Sequence, residues 1–386
     1  MSCVIVARLE ALRHAMREHG VDACVVPTSD PHLSEYLPER WQAREWLSGF
    51  TGSAGTLVVA LDAAALWTDS RYWEQAESEL EGTGIQLMHA GKAGVPLATD
   101  WVMRRLPKGA VVALDGQVFS VQAWRQWHEA TRKAGVRLVI DHDLPGAIWP
   151  ERPGLPAGKI VAHEPPWACR TRGENLQAVR AAMVSHGAQW HLVSALDDIA
   201  WLFNLRGDDV PYNPVFLAHA LIGAHRAELY VDAGKLEASL IATLEADGVQ
   251  VLPYDEIGPA LARLPEGERL LVDPARITIG LFNTAAYVDK VEAVNPAHLL
   301  KARKNAREVA NVRSTMEQDG AALCEFFAWF ELALGKERIT ELTVDEKITA
   351  ARARRPGFVS PSFGTIAAWR ANGAMPHYHA TPEAHA

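Results

Sequence analysis

Gly20-Val21-Asp22-Ala23-Cys24-Val25-Val26-Pro27-Thr28-Ser29-Asp30 and Gly187-Ala188-Gln189-Trp190-His191-Leu192-Val193-Ser194-Ala195-Leu196-Asp197 carry one pattern twice. Each begins with a glycine that stops an amphipathic helix, runs through a short apolar stretch that reads as a buried strand, and reaches a polar loop with an aspartate ten residues after the glycine. Upstream of the first copy, Val6, Leu9, Leu12, Ala15 and Met16 mark one helical face. Upstream of the second, Thr171-Arg172-Gly173-Glu174 has the spacing of a capping box.

The correspondence continues outward. Thr56–Ala60 and Ala64–Thr68 predict a hairpin, followed by a helix at 71–81, a strand at 85–89, a helix at 96–106, a strand at 110–114, a helix at 118–134 and a strand at 136–140. In the second copy Val215–Leu221 and Ala227–Val231 predict the hairpin. A helix at 234–247, a strand at 249–252, a helix at 257–264 and a strand at 269–273 follow. Asp69 and Asp232 close the second hairpin strand of each copy, and Asp115 and Asp273 end the later strand. The first copy has an insertion between Asp30 and Trp46 that the second lacks. Two tandem α/β domains of one type result, each with enough apolar strand and helix for its own core. The proline-rich stretch from Leu144 to Pro166 is the linker, and a second boundary falls near Asn295-Pro296.

Beyond about Leu300 the pattern changes. Val309, Val312, Met316, Leu323, Phe327, Phe330 and Leu334 recur at threes and fours, predicting one long amphipathic helix stopped by Gly335. Thr343-Val344-Asp345-Glu346 reads as a capping box opening a helix to about Arg355. Two short strands are expected within 359–380, turning at Asn372-Gly373. This is too little for a third domain, and the aromatic face of the long helix needs a sheet to cover it. The expected division is 1–165, 166–299 and 300–386.

Composition narrows the function. The chain has 386 residues, is 48% hydrophobic and 22% charged, and carries a net charge of −9. That balance disfavours nucleic acid and anionic membrane surfaces as partners. No apolar run is long enough to span a bilayer. The four cysteines, Cys3, Cys24, Cys169 and Cys324, form no CxxC pair, so a zinc knuckle and a dithiol redox motif are both absent. A reduced, cytoplasmic setting is the simplest expectation.

Few residues carry chemistry directly. The sequence has no HExxH, Walker loop, GxGxxG after a strand or GxSxG. Gly52-Ser53-Ala54-Gly55 lacks the Lys-Ser or Lys-Thr of a phosphate cradle and reads as a structural loop. Asp141-His142-Asp143, Asp197-Asp198 and Asp208-Asp209 have the composition of turns and caps. Arg71 follows a strand end, where it can either reach a ligand or solvate a helix start. His377 and His379 are two apart, so an extended segment would put both rings on one face, suited to metal binding or proton handling.

Several segments together resemble one family: Trp46-Leu47-Ser48-Gly49-Phe50-Thr51-Gly52-Ser53-Ala54-Gly55-Thr56, Trp67-Thr68-Asp69-Ser70-Arg71-Tyr72, and Leu196-Asp197-Asp198-Ile199-Ala200-Trp201-Leu202-Phe203-Asn204-Leu205-Arg206-Gly207. So do Val210-Pro211-Tyr212-Asn213-Pro214-Val215-Phe216, Asp319-Gly320-Ala321-Ala322-Leu323 and Asn372-Gly373-Ala374-Met375-Pro376-His377-Tyr378. The chain resembles the three-domain Xaa-Pro aminopeptidase (aminopeptidase P) branch of the pita-bread metallopeptidases. The resemblance implies two tandem creatinase-like N-terminal α/β domains followed by the incomplete start of a pita-bread (α+β) catalytic domain.

It also implies hydrolysis of the bond between an N-terminal residue and a following proline, a tertiary amide without an N–H. Peptides with proline second are then the partners, and a homodimer is compatible with the family. The cofactor implied is a pair of divalent ions, manganese or zinc, held by two Asp, one His and two Glu around an attacking hydroxide. By motif position His377 corresponds to a substrate-orienting histidine rather than a ligand. Arg71 is carried as a substrate-binding candidate, and His379 is given no role. Gly364 replaces a common Asp, and Arg370-Ala371 a common Gly-Pro. The family's ligand motifs lie beyond the His-Tyr motif, and none occurs before Ala386. The expectation is therefore a truncated chain with no metal site of its own, inactive alone. The alternative is a non-catalytic relative that binds peptides or proteins, or dimerises.

Overall fold

The strand Ala23–Pro27 (β1) is buried at every position but its last, because both faces of the sheet it joins are covered. The computed structural model describes residues 2–386. Around β1 lie Thr56–Ala60 (β2), Ala64–Thr68 (β3), Ile85–His89 (β4), Val111–Leu114 (β5) and Arg137–Val139 (β6), in the order β4-β3-β2-β1-β5-β6. β1, β2 and β3 are antiparallel, with Val25 opposite Val58 and Val58 opposite Ala65; the outer pairs are parallel.

The second sheet repeats this. Trp190–Val193 (β7), Ala218–Gly223 (β8), Ala227–Val231 (β9), Val249–Leu252 (β10), Arg269–Val272 (β11) and Asp289–Glu292 (β12) run in the order β10-β9-β8-β7-β11-β12, with the same parallel and antiparallel relations. The duplication read from the glycines and aspartates is thus a duplication of topology.

The aspartates have a local explanation. Asp69, Asp115, Asp232 and Asp273 each accept a hydrogen bond from the amide two residues on, at 2.8–3.1 Å, turning the chain as a strand ends. Asp30 does the same with His32. Asp197 does not match Asp30 in detail: Ala195-Leu196-Asp197, expected as a loop, enters a helix at once, Leu196–Phe203.

The two domains do not have wholly separate cores. Alternation sends Cys24 and Val26 to an outer face packed on Leu9, Leu12 and Met16 of the helix Ser2–Glu18. On that helix Ile5, rather than Val6, turns inward. Ala23 and Val25 face the other way, into a layer that also holds Leu192, Leu221, Tyr230, Leu270 and Val272 of the second sheet. The outer face of the second sheet packs Val193, Ile222 and Val231 on Leu176, Val179 and Met183. Each copy therefore has a private outer core and a shared inner one, and the pair forms one unit.

Equivalent helix starts meet across that layer. Ser120 caps the amide of Ala123 and Thr278 that of Leu281. The amide of Val121 donates to the carbonyl of Ile277 at 3.1 Å, and that of Ile279 to Phe119 at 2.9 Å. Gly280 donates to the carbonyl of Gly116 at 2.8 Å; a Cβ on Gly280 would lie 3.0 Å from that carbonyl oxygen and 2.6 Å from Gln117 Nε2, so glycine suits the approach.

The chain divides into two compact units. The first takes residues up to Glu164, Arg170–Val210 and Pro214–Ala302; the second takes Pro165–Cys169, Pro211–Asn213 and Arg303–Ala386. The long helix expected over 309–334 is present as Ala306–Ala333. Pro296–Ala302 belongs to the first unit, and Ala306–Ala333 starts afresh behind Asn305, whose side chain forms a capping box with Glu308. The next helix, Glu341–Ala353, is capped by Thr340 and not by Thr343, so the expected Thr343–Glu346 box is not formed. No strand follows. Asn372-Gly373 lies in a short 3-10 turn, Arg370–Ala374, and the backbone of positive φ there is Arg370, at 52°. The hairpin expected at 359–380 is thus a loop. Among the described residues its flanks find no partner strand, and its polar groups are met by side chains instead.

Candidate active site

In the second unit the helices Ala306–Ala333 and Glu341–Ala353 pack side by side. Phe326 lies against Phe327, Trp329 and Phe330, the Lys347 ammonium sits 5.1 Å from the Trp329 ring centre, and Ile348 and Ala351 are buried. Arg352 Nε donates to Asp319 Oδ1 at 2.7 Å, and Arg354 and Arg355 both reach Glu325. These pairs fix the register of the two helices.

Glu341, the first residue of its helix, was not singled out by the sequence, yet it organises the segment after it. Its side chain is buried. Its carboxylate accepts from the Trp369 amide at 2.6 Å, from Asn372 Nδ2 at 3.1 and 3.2 Å, from Tyr378 Oη at 2.9 Å and from the Ala386 amide at 2.7 Å. Asn372 also donates to Tyr378 Oη at 3.0 Å. Burial pushes the Glu341 carboxyl up, but the hydrogen bonds from the Ala386 and Trp369 amides, Asn372 and Tyr378 outweigh it and hold the pKa at about 2. The Tyr378 hydroxyl is pushed up by its burial and by the Glu341 anion. The only sequence signal for Glu341 was an acid just after a capping threonine, which is also ordinary helix-start composition.

His377 is half-buried in the turn between Asn372 and Tyr378, and His379 is exposed. Because the segment is not extended, the two do not share a strand face. His379 instead packs on Gly364: a Cβ there would lie 3.0 Å from His379 Cε1 and 3.3 Å from Tyr212 Oη. Tyr212 holds a φ of 62°, a conformation costing a tyrosine roughly 1 kcal/mol or more.

Arg71 lies in the first unit. Its guanidinium forks onto Asp69, Nε to Oδ1 at 2.7 Å and Nη2 to Oδ2 at 2.8 Å, and this pairing holds its pKa above the ordinary value. The loop after Phe50, read as structural, is shaped by the buried Arg44, which donates to the carbonyls of Phe50 and Gly52 and, at 3.0 Å, to Thr28 Oγ1. Burial lowers that guanidinium to about 10. Asp197 and Asp198 pair with Lys301, and Asp209 with Lys235, so these acidic pairs are structural.

Among the described residues no three His, Cys, Asp or Glu side chains converge as a metal cage. The one buried carboxylate tied to the His377 loop is filled by donors that a metal would have to displace. The residues present therefore do not fit a dinuclear metal pair.

Family matches fall on three stretches of the chain. The creatinase/prolidase N-terminal domain family matches residues 8–142 and, in a second form, 151–308; metallopeptidase family M24 matches 310–385. A probable Xaa-Pro aminopeptidase P of Aspergillus flavus is 38% identical over 384 residues, covering 96% of this chain and 58% of that protein. Aminopeptidase P2 of Arabidopsis thaliana is 34% identical over 416 residues, covering 98% and 58%. Along its whole length the chain is similar to the aminopeptidase P branch of the M24 metallopeptidases. A solved X-prolyl aminopeptidase of Caenorhabditis elegans, described as a cytosolic enzyme with a di-nuclear active site, superposes with a TM-score of 0.91 at 27% identity. That match covers 98% of this chain and 64% of the other. The chain thus spans about three fifths of the length of the aminopeptidase P relatives it matches. Two creatinase-like domains and an M24 segment are the arrangement the family resemblance implied. Among the described residues, no helix is long and apolar enough to cross a membrane.

Proposed function

We propose that the protein works in the hydrolysis of peptides with proline in second position, releasing the residue ahead of it. The supporting observation is that all three parts of the chain match, in order, relatives whose names share this activity. In this reading the division at 1–165, 166–299 and 300–386 separates two scaffold domains from the front of the catalytic one. His377 orients the substrate, and Arg71 is a substrate-binding residue. Two divalent ions, manganese or zinc, would be the cofactor of a full-length family enzyme, and none is expected on these 386 residues. The protein acts in the cytoplasm, and a homodimer is its working form.

The reading also holds that these 386 residues are inactive alone, since a hard divalent pair needs carboxylates to offset its charge. The test is release of arginine from an Arg-Pro-Pro peptide with added manganese. The 386-residue chain is expected to release none, and a form with the length of its relatives to release it. Turnover by the 386 residues would overturn the inactivity, and silence of the longer form would overturn the function, leaving a non-catalytic peptide-binding or dimerisation module.

A further inference from the structure

A loop outside any sheet has no ladder to fix it, so a side chain it presents is only as well aimed as the contacts holding its ends. One group reaches the loop from Trp369 to Tyr378 at both ends. Glu341 receives the Trp369 amide and Asn372 Nδ2 before His377 and Tyr378 Oη directly after it, and the Asn372–Tyr378 hydrogen bond closes the ring. Both sides of the imidazole's stretch of backbone are thereby referred to a single buried carboxylate. That carboxylate stands in turn at the start of a helix capped by Thr340.

Resting on the reading of His377 as the substrate-orienting histidine, we propose that Glu341 is the positioning residue of this site, clamping Asn372 and Tyr378 so that His377 is presented in one orientation. The chemistry suits a carboxylate. An ionised carboxylate has about four lone-pair sites and no donor, and here amide N–H, NH2 and O–H donors converge on it. Glutamine in its place offers one acceptor oxygen and turns an NH2 toward other donors, so it preserves size but only part of the clamp. Alanine removes it. At the first helical residue the negative charge also meets the favourable end of the helix dipole.

The test reads His377 directly by NMR of the histidine Cε1–Hε1 groups in the 386-residue chain, with the signal assigned by His377→Asn. Glu341→Ala is expected to move the His377 signal to the position of a free histidine or broaden it away. Glu341→Gln and Tyr378→Phe should shift it part of the way. Arg352→Ala, which breaks an ion pair on the same helix without touching the clamp, should lower the melting temperature and leave the signal in place. An unmoved signal in Glu341→Ala overturns the proposal. So does an equal movement in Arg352→Ala, which would reduce Glu341 to a general stabilising residue.

A second readout is kinetic. In a form that hydrolyses Xaa-Pro peptides, Glu341→Ala should lower kcat about tenfold or more with KM changed less than about threefold, because a misaimed group costs rate before affinity. Glu341→Gln should fall between. Equal loss in both parameters counts against positioning. The NMR arm does not depend on turnover, so the clamp and the enzymatic reading fail separately.

Discussion

His32 and His219 lie ring to ring, 4.5 Å between centres, in the interior where the two N-terminal copies share a core. His32 Nδ1 bonds to the Ser194 carbonyl at 2.9 Å, its Nε2 to Tyr254 Oη at 2.8 Å, and His219 Nδ1 to Ser194 Oγ at 3.0 Å. One residue of the first copy is thus tied to three of the second, and burial against each other favours the neutral form of both imidazoles.

That neutrality sets a pH dependence. Burial lowers the pKa of His32, against the raising influence of Asp30 and Asp209. Burial and the facing His32 lower that of His219 further, and burial also lowers that of His191. A histidine whose folded pKa is depressed binds its proton more readily unfolded. Stability from these groups is therefore complete above about pH 6.5 and is lost as pH falls below it. Each contributes a slope of up to ~1.4 kcal/mol per pH unit in that window. The urea midpoint of the first unit is expected to drop between pH 7.5 and 5.5, and His219→Gln should flatten the drop. A midpoint constant across that range would refute the assignment.

Lys235 and Asp209 form a buried ion pair, and Asp209 also accepts the Leu217 amide at 2.7 Å and the Gly158 amide at 3.2 Å. Asp209→Asn leaves an ammonium without its counter-charge in the interior. The expected cost is about 3 kcal/mol or more, against a smaller one for Asp209→Asn combined with Lys235→Met. Equilibrium denaturation of the single and double variants measures both.

The part of the fold that strongly periodic apolar segments encode was legible in the sequence. The strands at 56–60, 64–68, 85–89 and 249–252 fall where alternation and turn residues put them. What escaped were features set by partners distant in sequence. The shared inner core depends on which face of each sheet is turned to the other, and a both-sides-apolar strand such as β1 does not declare that. The tail misled for a related reason. Asn372-Gly373 is a hairpin signal only where two strands can pair, and here a carboxylate from a preceding helix supplies the partner. His377 was singled out from its motif, whereas Glu341 was not, because one acid at a helix start looks like any other.

The cap of that helix gives a direct check. Thr340 Oγ1 accepts the Thr343 amide at 3.1 Å and pairs with Thr343 Oγ1 at 3.0 Å. Thr340→Ala should cost the second unit about 1 kcal/mol, and Thr343→Ala clearly less. The reverse order would restore the cap that the Thr343–Glu346 spacing suggested.

The second unit leaves a large apolar flank in water. Phe327 is 54% exposed, Leu332 68%, Trp369 63% and Val359 86%, with Leu334 and Phe363 also more than half exposed. Single exposed apolar residues are ordinary, but this many on one small unit are not. At about 25 cal/mol per Å2, covering such a surface would be strongly favourable, so the 386-residue chain is expected to bind the dye ANS while its N-terminal sheets remain folded. Sedimentation should show association that grows with concentration. Phe327→Ser with Leu332→Ser should reduce both signals and leave the unfolding of the first unit unchanged, because neither side chain belongs to its cores. Dye binding that persisted undiminished in the double variant would place the exposed surface elsewhere.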